Sequence, residues 1–427
     1  MSTPASAPDG APTPLRAQAY RMYAVLCAGF LVSQFYRVSN AVIAPELMRE
    51  MAISAEAMGI VTGVFFLAFA AAQVPTGLAL DRLGPRRTMA GLFLVAVAGS
   101  AAFATAGGLA GLVLGRALMG VGCAAGLMGA LVAIARWFPA ARFAWLSSLL
   151  FALGGAGLLL ATTPLAAISD GVGWRGAFWL MAAVAAAVAA LLHAVVRDAP
   201  GSSAPHDDRR ESAVEMWHGL GAVLANRQLR YVCAIQFVNY GTVLAVAGLW
   251  AGPYLNDVHG LAGVARGNAL LVLNVAMLAG VLGFSGVERW LGSRKWTIGG
   301  GGIASVILLL LLAGVPGLAL GPAVVLLVLF GLASAYVMLI HAHARAVLPA
   351  HLVGRGLTLQ NLAVFLGVFV MQALSGFIVG GFGGGAGAAP EAAYRAVFGF
   401  LALMTGAALL VYLRCDDVRA GEGPAAG

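Results

Sequence analysis

The chain has 427 residues, 61% of them hydrophobic and only 10% charged, with 58 glycines and a formal net charge of +8. A soluble domain carries about 25% charged residues, so one aqueous core is excluded, and disorder is excluded because it needs low hydrophobicity and high charge. What remains is a polytopic membrane protein, since a bilayer lets apolar side chains face outward from every helix. Soluble enzymes and nucleic-acid binders drop out at this step.

Residues 1–19 are rich in Pro, Ala, Ser and Thr and read as a disordered cytoplasmic tail. The first apolar run, 20–45, ends without a convincing small-residue cleavage site and reads as a retained helix, not a signal peptide. Apolar stretches long enough to cross ~30 Å of hydrocarbon recur twelve times. Numbered as helices 1 to 12, they are predicted at 20–45, 57–79, 88–106, 110–135, 143–167, 175–196, 229–253, 265–287, 297–314, 319–344, 357–381 and 394–414. The longest polar interruption, 197–228, reads as a cytoplasmic linker between an N-terminal bundle (20–196) and a C-terminal bundle (229–414), with a second tail at 415–427. The expected fold is an all-α integral membrane protein with twelve transmembrane helices in two pseudo-symmetric six-helix bundles.

The charge has a topological meaning. With the N-terminus inside, 19 of the 25 basic residues fall on cytoplasmic segments, four (Arg49, Arg175, Arg266, Arg395) on outer loops, and two (Arg37, Arg116) within helices. The positive-inside rule counts basic residues in this way, so both termini are expected in the cytoplasm and no nucleic acid is needed to explain the charge. Cys27, Cys123, Cys233 and Cys415 are scattered and offer neither a disulfide framework nor metal-ligand spacing. No metal, cofactor or catalytic residue is expected.

After helix 2 the chain carries Gly77, Asp81, Arg82, Gly84, Arg86 and Arg87. This spacing resembles the signature loop of the major facilitator superfamily. Gly84 permits a short turn, and Asp81, one acid among several bases, can pair with a base or a helix N-terminus in one conformation and release it in another. A degenerate copy follows helix 8, at Glu288, Arg289, Gly292, Arg294 and Lys295, as internal duplication predicts. Helix 4 holds Gly115, Arg116, Gly120 and Gly122, similar to the superfamily's helix-4 motif with its intramembrane arginine. The resemblance implies a secondary transporter worked by rocking of two halves, with Gly77, Asp81, Arg82, Gly84, Arg86, Arg87 and Arg116 biasing the conformational equilibrium.

Ionisable residues inside the membrane carry the substrate question. Arg37, in helix 1, would cost about 2.5–3.5 kcal/mol facing lipid on insertion scales, whereas on a water-filled cavity it becomes an anion site. Ser33, Arg37 and Asn40 share one face of a continuous helix at i, i+4 and i+7. Arg37, eight residues before Pro45, resembles helix 1 of the anion:cation symporter branch, where such an arginine contacts the anionic substrate; the acid usual before it is replaced by Tyr36. The remaining polar lining is expected from Gln236, Asn239, Tyr240 and Trp250 in helix 7, Asn274 in helix 8, and Asn361 and Gln372 in helix 11, against the alternative that these residues only make interhelical hydrogen bonds.

No Asp or Glu lies within the twelve predicted spans, which argues against the buried acid of cation and drug exporters, and one clear cavity arginine favours a singly charged anion such as a monocarboxylate. Candidate proton-coupling residues are Glu46, His341 and His343, the histidines because they titrate near neutral pH. The partners expected are a small anionic molecule, protons and the bilayer, and a monomer is expected in a bacterial cytoplasmic membrane. Two rivals stay open: a proton-coupled drug or metabolite exporter, and a non-transporting sensor on the same fold.

Overall fold

Breaks inside long apolar helices set the architecture. The computed structural model describes residues 13–198, 226–348, 353–382 and 388–417. The expected tail up to residue 12, most of the linker (199–225) and the last residues of the second tail (418–427) lie outside the described residues.

Nine helical stretches among the described residues are long and apolar enough to cross a membrane, and the bent pair Ala17–Val38 and Asn40–Met51 makes a tenth. Two of the nine, Ala55–Ala104 and Ala141–Val195, contain 50 and 55 residues. At 1.5 Å per residue these amount to roughly 75 and 83 Å of helix, room for two crossings each. Each is interrupted where the sequence predicts a boundary, by Gly84 (φ 76°) and by Gly173 (φ 73°). A positive φ is open to glycine and strained for other residues. At Gly84 the next residue is Pro85, whose missing N–H costs nothing at the start of helix 3. Counted through these breaks, the chain is an all-α integral membrane protein of twelve transmembrane helices, and no strand occurs among the described residues.

Helix 1 departs from expectation. It begins at Thr13, inside the stretch that reads as a disordered tail, and it is two segments, Thr13–Val38 and Asn40–Met51, bent by 47° at Ser39. Helix 7 is also broken, into Arg227–Ala245, a π-helical turn Val246–Trp250, and Ala251–Asp257. Helix 8 is Gly263–Leu291, helix 9 is Arg294–Gly314, helix 11 is Val353–Gly380 and helix 12 is Glu391–Tyr412. Helix 10 comprises Leu320–Ala333 and Val337–Ala346.

The chain divides into two compact units. The first comprises Met1–Ser39 and Val64–Asp208, the second Asn40–Gly63 and Arg209–Gly427. In the first, helix 1 up to Val38 packs on Ala140–Leu160, Thr163–Val195 and Ala125–Trp137. In the second, helices 7 and 11 lie side by side, with Gly367 set against the Phe237 carbonyl, and helices 9 and 12 form another close pair. Small residues at such seams let backbones approach in a medium that offers no hydrophobic drive between helices. The second segment of helix 1, Asn40–Met51, belongs to the second unit, where it packs on both parts of helix 7 that follow Ala245.

Candidate functional site

Arg37 sits in the last turn of Thr13–Val38 and is 7% exposed. Its guanidinium lies over the Phe69 ring, 4.9 Å from the centroid. Four residues earlier on helix 2, Phe65 stacks on Phe69 with centroids 6.3 Å apart and planes at 23°, and the Phe65 face carries the guanidinium of Arg116 at 4.8 Å. Two buried arginines thus share one pair of stacked phenylalanines, a cation–π arrangement strengthened by the low dielectric around it. Arg116 is fully buried, and its Nη1 donates to the Tyr36 carbonyl at 2.8 Å. Sequence periodicity carries no sign of Phe65 and Phe69, because aromatic residues at i and i+4 read as ordinary packing.

Asn40 lies beyond the bend at Ser39, in the second segment of helix 1. The bend at Ser39 interrupts the 3.6-residue period that places i and i+7 on one face, and the Asn40 amide donates to Thr62 Oγ1 at 2.9 Å within the second unit. Glu46, in the same segment, is bound by Arg266: one guanidinium nitrogen reaches both carboxylate oxygens at 2.8 and 2.9 Å, and Nη1 donates to Asn256 at 3.3 Å. Asn256 donates to Asp257, which also accepts from the Tyr394 hydroxyl and the Ala389 N–H. The sequence places Arg266 among the outer-loop charges; the signal that could mark it is its place in the first turn of helix 8.

The same seam holds a backbone contact. Pro45 has no N–H, so the Ala41 carbonyl four residues before it lacks its helical donor, and Gly252 faces that oxygen so closely that a Cβ would overlap it. Gly252→Ala is expected to destabilise the purified protein by about 1–3 kcal/mol, the usual cost of overpacking. The control is Gly300→Ala, where a Cβ meets nothing within 4 Å and replacing a helical glycine stabilises by about 0.5–1 kcal/mol. Thermal unfolding in detergent should move in opposite directions for the two variants.

Helix 7 and helix 11 bring the polar residues of the second unit into neighbouring positions. Gln236 is fully buried with no hydrogen-bond partner for either amide atom among the described residues. Asn239 donates to the Ser334 carbonyl at 3.5 Å, and Tyr240 meets Phe365 edge-on at 6.5 Å. Trp250 and Gln372 are engaged in holding the π turn: Trp250 Nε1 donates to Ser375 at 2.7 Å, and Gln372 Nε2 donates to the Leu244 carbonyl at 3.1 Å. Asn274 donates to Leu270 in its own helix, and Asn361 is partly exposed.

At the signature loop, Gly77 has open space around it and Asp81, Arg82 and Arg87 are exposed. The N-terminus of helix 3 is taken by another acid: the Arg86 N–H donates to Asp198 Oδ1 at 2.9 Å, and Arg86 Nε donates to the His193 carbonyl at 2.7 Å. A carboxylate there satisfies an orphan N–H and complements the helix dipole. Asp198 lies 112 residues beyond its partner, out of reach of any local pattern. In the degenerate copy Arg294 pairs with Glu288 at 2.7 Å, and Gly292 ends helix 8 in the left-handed conformation.

His341 bonds the Val337 carbonyl of its own helix at 2.9 Å. His343 is fully buried between the Tyr412 hydroxyl (2.7 Å) and the Asp416 carbonyl (3.1 Å). A neutral imidazole satisfies both, Nε2–H donating to the carbonyl and the tyrosine donating to Nδ1. Burial pushes the neighbouring Cys415 thiol up to about 12.

The sequence model of the Major Facilitator Superfamily matches residues 25–337. The chain belongs to the Major Facilitator Superfamily. Among its relatives, a probable sulfoacetate transporter of Cupriavidus necator is 25% identical over 244 residues, 55% of this chain and 57% of the relative. A putative tartrate transporter of Agrobacterium vitis is 25% identical over 304 residues, 67% of each chain. This superfamily member therefore spans a little over half the length of the first relative and about two thirds of the second. Among solved structures, a bacterial homolog of the human lysosomal transporter Spinster, inward-facing and unoccupied, aligns with a TM-score of 0.74 at 18% identity, covering 95% of this chain and 97% of that one. The D323A mutant of the nucleoside transporter NupG aligns with a TM-score of 0.76 at 10% identity, covering 93% and 99%. At these identities the two structures share the fold.

Proposed function

We propose that this superfamily member is a secondary active transporter that moves a small organic anion across a bacterial cytoplasmic membrane by alternating access of its two halves, 20–196 and 229–414, with both termini inside. The observation that carries the reading is Arg37: a buried cation in the first spanning helix, held against an aromatic face. An intramembrane ionisable residue marks a substrate pathway by default. The names of the sulfoacetate and tartrate relatives support an organic acid as cargo. One counter-charge suits a monocarboxylate, whereas sulfoacetate and tartrate each carry two acidic groups, so charge is a variable to be tested. Asn40, Gln236, Asn239, Tyr240, Trp250, Asn274, Asn361 and Gln372 stand as further lining residues, Asp81 with its neighbouring arginines as the conformational bias, and Glu46, His341 and His343 as sites for a coupling proton.

Counterflow in proteoliposomes preloaded with paired monocarboxylates and dianions of equal carbon number tests this function. Uptake of labelled anion driven by the preload is the expected result. Preferential flux of lipophilic cations would replace the reading with a drug exporter, and anion binding without any flux would replace it with a sensor.

A further inference from the structure

Arg116 is wholly buried, and no described carboxylate pairs with it; among the described residues its Nε–H and Nη2–H meet no acceptor. A cation taken out of water without compensation is costly. Its compensation comes from two places: the face of Phe65 and one carbonyl, that of Tyr36. That carbonyl sits at the break in helix 1, where Ser39 leaves the helix and its Oγ–H also donates to the Tyr36 oxygen at 3.4 Å. The end of a helix is also its negative pole, which favours a guanidinium there. The break and the buried charge therefore stabilise each other.

The Tyr36 carbonyl belongs to the peptide unit that joins Tyr36 to Arg37. A bond that fixes its direction fixes the plane from which the Arg37 side chain departs. At its far end the Arg37 guanidinium rests on Phe69, which stacks on the same Phe65 that carries Arg116. Arg116 touches the root of Arg37 through the backbone and its tip through two rings.

We infer that Arg116 is the positioning residue of the anion site, holding the break in helix 1 and thereby aiming the Arg37 guanidinium; this rests on the reading of Arg37 as the anion's counter-charge. Straightening of helix 1 would bring the Asn40 N–H to the Tyr36 carbonyl in competition with the donors it now serves, Arg116 Nη1 and Ser39 Oγ, so Arg116 also favours the bent form of helix 1. A lysine at 116 keeps the charge but not the planar fork, and a glutamine loses both the charge and the guanidinium's reach.

Two measurements on the purified full-length chain test the inference. The first is hydrogen–deuterium exchange of peptides spanning 36–44 in wild type and Arg116→Gln. The expected result is a change of at least about threefold confined to the break, because the local hydrogen-bond ladder is what the bond controls; unchanged exchange there overturns the inference whatever the substrate is. The second is titration with sulfoacetate and tartrate of wild type, Arg116→Gln, Arg116→Lys, Arg37→Lys and the Arg37→Lys/Arg116→Gln double variant. Arg116→Gln should weaken binding about tenfold when Arg37 is present. In the Arg37→Lys background, read with sulfoacetate because its compact sulfonate suits a lysine, the same change should cost less than about twofold, since a flexible ammonium needs no aiming. Arg116→Lys should recover part of the loss. Such non-additivity is the mark of a residue acting through another. Equal losses in both backgrounds would mean that Arg116 meets the anion itself or merely stabilises the fold, and would overturn the positioning role. Absence of binding to wild type by either acid counts against the anion reading for these probes, while the exchange measurement still decides the role of Arg116.

Discussion

Arg37→Ala is expected to weaken binding of the transported anion by about 10- to 100-fold and to reduce counterflow strongly at substrate concentrations near the wild-type Kd. A charge-assisted hydrogen bond contributes about 1.5–3 kcal/mol, and each 1.4 kcal/mol is about tenfold in affinity. The position raises the effect, because a side chain 7% exposed offers its charge in a medium where water does little screening. Arg37→Lys should retain most of the affinity for a compact anionic group and lose it for a planar carboxylate that a guanidinium grips with two parallel bonds. Isothermal titration of purified wild type and both variants with the anion that passes the counterflow test is the measurement. Equal affinity in wild type and Arg37→Ala would remove Arg37 from the site.

Glu46→Gln is expected to cost about 3 kcal/mol of stability, because it leaves the Arg266 charge buried without its partner. Arg266 is 2% exposed and Glu46 31%, so the cation cannot relax into water while the carboxylate partly can; the cost therefore sits near the lower end of the range for broken buried pairs. Two controls separate charge from packing. The reversal Glu46→Arg/Arg266→Glu should recover part of the loss, and the apolar pair Glu46→Met/Arg266→Met should be less damaged than Glu46→Gln, since an apolar pair leaves no stranded charge. Thermal unfolding in detergent reads all four, and identical midpoints for wild type and Glu46→Gln would deny the pair any structural weight. The second segment of helix 1 is held in the second unit by this pair and by the contact of Gly252 with Ala41, so Glu46→Gln and Gly252→Ala should also raise the labelling of a cysteine placed at Ala41.

Much of the candidate site is legible in the sequence because charge in a bilayer is conspicuous. Arg37 and Arg116 stand out in apolar runs whatever the tertiary structure, and the glycine–aspartate–arginine loop is readable because its spacing is local. The face assigned to Ser33, Arg37 and Asn40 assumes a continuous helix, whereas helix 1 bends by 47° at Ser39 and the Asn40 amide donates to Thr62. Arg266 and Asp198 escape notice because their partners lie 220 and 112 residues away. Trp250 and Gln372 fit a lining by their spacing, yet each bonds to the facing helix, a pairing that no single helix encodes.

The sequence by itself determined the class of molecule, the number of its spanning helices and the turn at Gly84 that separates helices 2 and 3, since hydropathy, helix length and backbone freedom are properties of short stretches. Only the tertiary structure decided that Glu46 belongs to Arg266, that Asp198 caps helix 3, and that two stacked phenylalanines join Arg37 to Arg116. Hydrogen bonds, ion pairs and ring contacts depend on distances of a few ångströms between segments far apart in the chain, and those distances exist only after the helices have packed.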